Sequence, residues 1–188
     1  MNKAEENNKR RDAIVKKIRL VKNTEAEEKA SAILDQYLKD NHKNKTPERS
    51  FILSLIYQLT VPADIETIHG LVEEHYGHLS KTTVYYTLDL LQAANLVTRI
   101  ELIENGPAFF EKTIGTEPHG YTVCKNCGSV KIFSLDHIKE EASKMPSTGF
   151  RIDNITFIIH GTCRSCLKKL SKPKKVTKTK KNKKQINQ

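Results

Sequence analysis

No apolar run in this sequence approaches the length of a membrane span, and its first residues, MNKAEENNKRRDAIV, lack the apolar core of a signal peptide. A soluble cytoplasmic protein without a membrane partner is the expectation. Also absent are a phosphate-binding glycine loop, a nucleophile elbow and an H-x-E deaminase motif. Neither an enzyme nor a small-molecule substrate is therefore expected. Acid is missing from one end: Lys168–Gln188 holds ten lysines, no arginine and no Asp or Glu. The formal net charge is +10, yet outside this tail 22 basic residues face 22 acidic ones. Lysine spaced by Thr, Asn and Gln cannot bury a core, so 168–188 reads as a disordered tail. It serves either solubility or the attraction of phosphate.

What is present begins with helical periodicity. KRRDAIVKKIRLV places Ile14, Ile18 and Val21 at helical spacing among basic residues, and reads as a frayed basic extension (1–23) rather than a helix on DNA. Thr24 and Glu27 form a capping box for a helix to Asp40, with Ala30, Ile33, Leu34 and Tyr37 on its apolar face. Thr46 and Pro47 start the next, with a stripe of Ile52, Leu55, Ile56 and Leu59. A third helix runs from Asp64 with Ile65, Ile68 and Val72 inward. A fourth follows Ser80, with Val84, Leu88 and Leu91 inward. The period then changes to two, and LVTRIELIENGPAFFEKT reads as two strands around Asn105–Gly106.

Helices followed by a hairpin are the order of a winged helix, whose last helix before the hairpin is the usual one for the major groove. That helix offers Ser80, Lys81, Thr82, Thr83, Tyr85 and Tyr86 to phosphates and thymines, with Asp89 opposing them by charge. Lys45 and Arg49, around the Thr46 cap, complete the candidate contacts with double-stranded DNA. Wings of this kind also mediate protein–protein contact.

The second half reads as strand, strand, helix, strand: GYTVC, SVKIF, LDHIKEEASKM (Leu135, Ile138 and Ala142 on one face) and ITFIIHGTC. It carries all four cysteines, as Cys124-x-x-Cys127 and Cys163-x-x-Cys166. Each loop lets two thiolates bind one ion, and two loops complete a tetrahedron with no open position. A structural Zn²⁺ follows, rather than a catalytic one. Oxidation of these thiols is the competing use, and zinc-bound thiolates can still oxidise.

TPERSFIL, SKTTVYYTLDLLQAANLVTR, HGYTVCKNCGSVKIF and GFRIDNITFIIHGTCRSC occur in the order found in the ferric uptake regulator family, which the chain resembles from about Glu25 to Cys166. The resemblance implies an α+β protein. Its parts would be a winged-helix DNA-binding domain (24–115), a small α/β dimerisation domain with the four-cysteine zinc (116–167), and a homodimer that represses promoters. Tyr85 stands where the family has a base-contacting tyrosine; Tyr86 replaces the arginine that usually follows.

The family's regulatory ion is held by a cluster ahead of the first CxxC, and there this chain reads PHGYTVC. Pro118 and Tyr121 occupy two histidine positions, Gly120 replaces a carboxylate, and Pro62, Ile132, Lys139 and Ile155 stand at other ligand positions. His119 and Glu111 survive, and two ligands hold a second divalent metal only weakly. His75 and His78 read as solvated turn residues, His137 as a surface residue, and His160 as packing on the zinc knuckle. The reading that results is a dimeric regulator of transcription with a degenerate sensing site. The alternatives are a zinc-thiolate redox sensor and a zinc-stabilised module binding RNA or protein.

Overall fold

The computed structural model describes residues 3–16, 18–22, 24–135 and 156–170. The elements are α1 (Lys3–Val15), α2 (Thr24–Asp40), α3 (Pro47–Gln58), β1 (Ala63–Asp64), α4 (Ile65–His75), α5 (Lys81–Ala93), β2 (Val97–Ile100), β3 (Phe109–Lys112), β4 (His119–Cys124), β5 (Val130–Ser134), β6 (Phe157–Gly161) and α6 (Arg164–Leu170). The expected helix over LDHIKEEASKM, including His137, and the positions Lys139 and Ile155 lie outside the described residues, as does 171–188 of the tail.

Three helices start where the capping chemistry sits. Thr46 accepts from the Arg49 N–H, Asp64 from Thr67 and Ser80 from Thr83. Each side chain satisfies a backbone donor that the first turn leaves unpaired, a contribution of about 1 kcal/mol. The stripes then meet. Ile52, Leu55 and Ile56 of α3, Ile68 and Val72 of α4, and Val84, Leu88 and Leu91 of α5 are buried in one core with Ala30 and Leu34 of α2. The buried Tyr57 hydroxyl donates to the Leu96 carbonyl at 2.9 Å, so its burial leaves no polar atom unpaired.

Ile33 departs from expectation. It is 44% exposed, and the inner row of α2 is Ala26, Ala30, Leu34 and Leu38. Only one row of α2 lies against α3, so a wider apolar stripe is left in solvent.

The hairpin forms, but its strands pair only to Ile100 and Phe109, and Asn105–Gly106 turns inside the longer connection 101–108, with Asn105 at φ 54° and the Gly106 N–H on the Ile103 carbonyl at 2.9 Å. β3 pairs with β2 and also with the short β1, giving the sheet order β1-β3-β2. A second sheet has the order β5-β4-β6, with β4 antiparallel to β5 and parallel to β6. The described chain is thus α+β: a winged helix followed by an α/β unit.

The N-terminal segment corrects the reading of a frayed extension. Ile14 is 2% exposed, in a second core made by Ile100, Leu102, Ile103 and Phe109 of the wing with Tyr121, Val123 and Val130 of the second sheet. Around it, Asn7 donates to the Asn105 carbonyl at 3.1 Å, Arg10 to the Lys125 carbonyl, and Arg11 to the wholly buried Asp64. α1 is therefore a strap across wing, α4 cap and cysteine loop. Ile14, Ile18 and Val21 among basic residues are too little periodicity to show this. Val21, the third residue at that spacing, is 56% exposed.

Candidate metal centre and nucleic-acid interface

The parallel pairing of β4 with β6 sets Cys124 opposite Gly161. Both CxxC loops therefore leave the sheet at the same end, although 35 residues separate them. The Gly128 N–H closes the first loop on the Cys124 carbonyl at 2.9 Å, and Gly128 itself has φ 68°. A Cβ there would also run into the Arg10 backbone, so glycine is required twice over. The Lys125 N–H bonds the Gly161 carbonyl at 2.7 Å, pinning one loop to the root of the other. α6 then lifts Cys166 into the group.

The four Sγ atoms lie within 4.8 Å of one another, with Cys127 and Cys163 at 3.7 Å. A tetrahedral ion with Zn–S bonds of about 2.3 Å needs S···S edges of roughly 3.8 Å, so the donor set fits such an ion. The electrostatics agree. Burial works against a thiolate at Cys124, but N–H donors from Cys163, Cys127 and Asn126 outweigh it and bring the thiol down to about 6. Cys166 is pushed the other way, up to about 12, by burial and by the neighbouring thiols. One thiolate forms readily and a full set does not, unless a cation compensates the crowded charge.

The two surviving hinge residues do meet. His119 Nε2 is 3.1 Å from Glu111 Oε1. Between them stands Tyr121, 2% exposed, which donates to Glu111 Oε2 at 2.7 Å and lies 2.7 Å from His119 Nε2. The other ring nitrogen, Nδ1, lies 2.8 Å from the Glu117 carbonyl, which can only accept. If Nδ1 donates there and the phenol proton is given to Glu111, then Nε2 must also carry a proton. Both ring nitrogens are spent, and the imidazolium has no lone pair for a metal. The Glu111 hydrogen bond raises the His119 pKa accordingly, more than burial lowers it. Sequence reasoning treats Tyr121 only as the replacement of a family histidine. Its position two residues after His119, on the same face of a strand, was the signal for a lock. A cleft of about 560 Å³ opens beside this triad, between Leu59, Val61 and Phe110 on one side and Pro118 and Ile132 on the other.

Among the described residues, His75, His78 and His160 do not converge on this triad. His78 is 93% exposed and His75 partly so, both at the far end of α4, and His160 is exposed on β6 beside Arg10 and Lys125. Among the described residues only the four cysteines form a complete ligand group.

On α5 the inner face is buried, while Tyr85 and Tyr86 stand 47% and 70% exposed beside Thr82 and Asp89. The other expected contacts are engaged within the chain. The Ser80 hydroxyl caps Thr83 N–H at 3.1 Å and shares a hydrogen with Thr83 Oγ1 at 2.8 Å. Lys81 pairs with Glu66, Lys45 with Asp35 at 2.6 Å, and Arg49 donates to the Asn44 carbonyl. Exposed pairs of this kind contribute little and exchange readily for a phosphate.

Comparison with known proteins agrees with this layout. The model of the family described as "Ferric uptake regulator family" matches residues 39–160. Ferric uptake regulation protein 2 of Mycolicibacterium fortuitum is 31% identical over 138 residues, covering 72% of this chain and 94% of that protein. The peroxide operon regulator of Bacillus subtilis (strain 168) is 27% identical over 135 residues, covering 70% and 90%. The Helicobacter pylori ferric uptake regulator structure superposes with a TM-score of 0.63 at 19% identity, covering 78% of this chain and 97% of that one. The Pseudomonas aeruginosa regulator solved with manganese superposes with a TM-score of 0.58 at 22% identity, covering 69% and 97%.

Proposed function

Because this chain belongs to the ferric uptake regulator family, we propose that it is a dimeric DNA-binding repressor of transcription, with Zn²⁺ held by Cys124, Cys127, Cys163 and Cys166. The observation that carries the DNA reading is the outer face of α5. It presents two exposed tyrosines and a threonine on a helix rigidly anchored by Val84, Leu88 and Leu91, next to a hairpin wing. Tyr85, Tyr86 and Thr82 read bases and phosphates in the major groove, while Lys81, Lys45 and Arg49 release their internal partners to phosphates. The zinc closes the second domain from outside, because a three-stranded sheet of this size buries too little surface to stand alone easily. Phe157 and Ile159, 39% and 46% exposed on the edge strand β6, support pairing with a second copy.

The hinge, by contrast, is closed by Tyr121. A second divalent ion there binds weakly and changes DNA affinity little. The exposed Cys127, 3.7 Å from Cys163, favours a second route of regulation, in which a peroxide takes two electrons from these two thiolates and is reduced to water or alcohol, the sulfurs join as a disulfide, and the zinc, left with two thiolates, is released.

Titration of an AT-rich palindromic operator with the Tyr85→Ala variant tests the DNA reading. A loss of about 1–3 kcal/mol on the operator, with a smaller loss on random duplex, is expected. Equal loss on both would mean that Tyr85 reads no base.

A further inference from the structure

One cluster of ligand-type side chains lies outside both sites described so far. His69 and Glu73 stand one turn apart on α4, and His78 follows in the bend before Ser80, where Gly77 takes φ 112°. His69 Nδ1 is 3.7 Å from Glu73 Oε2, and His78 Nδ1 is 3.6 Å from Glu73 Oε1. Glu73 thus has an imidazole nitrogen beside each of its oxygens.

The protonation of His69 follows from its other side. Its Nε2 lies 2.8 Å from the Leu79 carbonyl, which can only accept, so Nε2 carries the hydrogen. In the neutral ring Nδ1 is then a bare lone pair, and it faces a carboxylate that also only accepts. A separation of 3.7 Å is too long for a hydrogen bond. It is close to the roughly 3.3 Å between two ligand atoms that share an ion at about 2.0–2.1 Å. A ligating imidazole whose second nitrogen donates to a backbone carbonyl is also how metal-bound histidines are commonly oriented.

We propose that His69, Glu73 and His78 form a second divalent-cation site at the entrance to α5, suited by its two imidazoles and one carboxylate to ions of the zinc, nickel and cobalt class. Water completes the coordination. His69 and Glu73 are preset by the helix, with side chains 18% and 45% exposed. Closure requires only a turn of His78, whose side chain is 93% exposed and unhindered. The bound ion joins α4 to the bend two residues ahead of the Ser80 cap, and so fixes the approach of α5 to whatever it binds.

The test is independent of the DNA reading, since it measures metal alone. The full chain is first loaded with zinc at its cysteines, then titrated with Ni²⁺ by calorimetry and by paramagnetic broadening of the imidazole signals. One further Ni²⁺ per chain is expected. The His69 and His78 signals should broaden first, and affinity should fall at least about tenfold in both His78→Ala and Glu73→Gln. Both substitutions sit at exposed positions, and circular dichroism melting verifies that the fold is kept. A His119→Ala variant should bind Ni²⁺ as the unmodified chain does. Unchanged affinity in the His78 and Glu73 variants would overturn the proposal. So would broadening centred on His119, or the absence of any Ni²⁺ beyond the cysteine site, which would leave a proton as the only bridge.

Discussion

Replacing Tyr121 by phenylalanine removes one oxygen and keeps the ring, which isolates the hinge lock from its packing. That oxygen holds two hydrogen bonds of 2.7 Å, one of them to the Glu111 carboxylate. The site is largely buried, with Tyr121 2% exposed and the Glu111 and His119 side chains 18% and 15% exposed. A hydrogen bond to a charged group in such surroundings contributes about 1.5–3 kcal/mol. Glu111 keeps His119 at 3.1 Å after the change, so a loss near the lower part of that range, about 2 kcal/mol, is expected. For a chain of this size that lowers Tm by roughly 4–8 °C, readable by circular dichroism. The phenylalanine variant should gain no metal, because two ligands remain. Tyr121→His, which supplies a third, should raise Fe²⁺, Mn²⁺ or Zn²⁺ affinity at the hinge at least about tenfold. A Tyr121→Phe protein melting within about 1 °C of the unmodified chain would refute the lock, since no buried charge-assisted bond is that weak.

The pH dependence of the same lock has a definite sign. Its native His119 pKa is raised, chiefly by Glu111, so the stabilisation is full below the unfolded value of about 6.5 and is lost as pH rises through the native value. Melting from pH 6 upward should show this decline in the unmodified chain and lose it in Glu111→Gln. Cys163→Ser should abolish tight zinc binding and either unfold the second domain or separate the dimer; a stable zinc-free dimer, seen by metal analysis and sedimentation, would remove the structural role. Arg11→Ala leaves the wholly buried Asp64 with only Thr67 and backbone partners, and should cost about 2 kcal/mol in chemical denaturation. Deleting 171–188, with eight of the ten tail lysines, should flatten the salt dependence of DNA binding and keep target preference; an unchanged slope would place the tail off the DNA.

Local signals in this sequence determined local structure. Thr46–Pro47, Asp64 and Ser80 could be read as helix starts because a cap acts over three residues, and Asn105–Gly106 as a turn because its backbone demands lie within the turn itself. The stripes of α3, α4 and α5 were legible for the same reason, and so were the two CxxC loops. At Lys168 the local reading stopped short: Lys168–Leu170 reads as the start of the tail, yet these residues complete the helix Arg164–Leu170 that carries Cys166. Only the tertiary structure decided the rest. The parallel register of β4 and β6 joins two cysteine pairs into one site. Arg11 reaches Asp64 across 53 residues, and Arg10 reaches Lys125 across 115, making a strap of a segment that the buried Ile14 anchors. The hydroxyl of Tyr121 and the carboxylate of Glu111 engage Nε2 of His119 because β3 and β4 belong to different sheets that meet there. Caps, turns and stripes are encoded within a few residues of themselves. Pairings between distant groups depend on which surfaces the packed core brings together, and no short window of sequence contains that information.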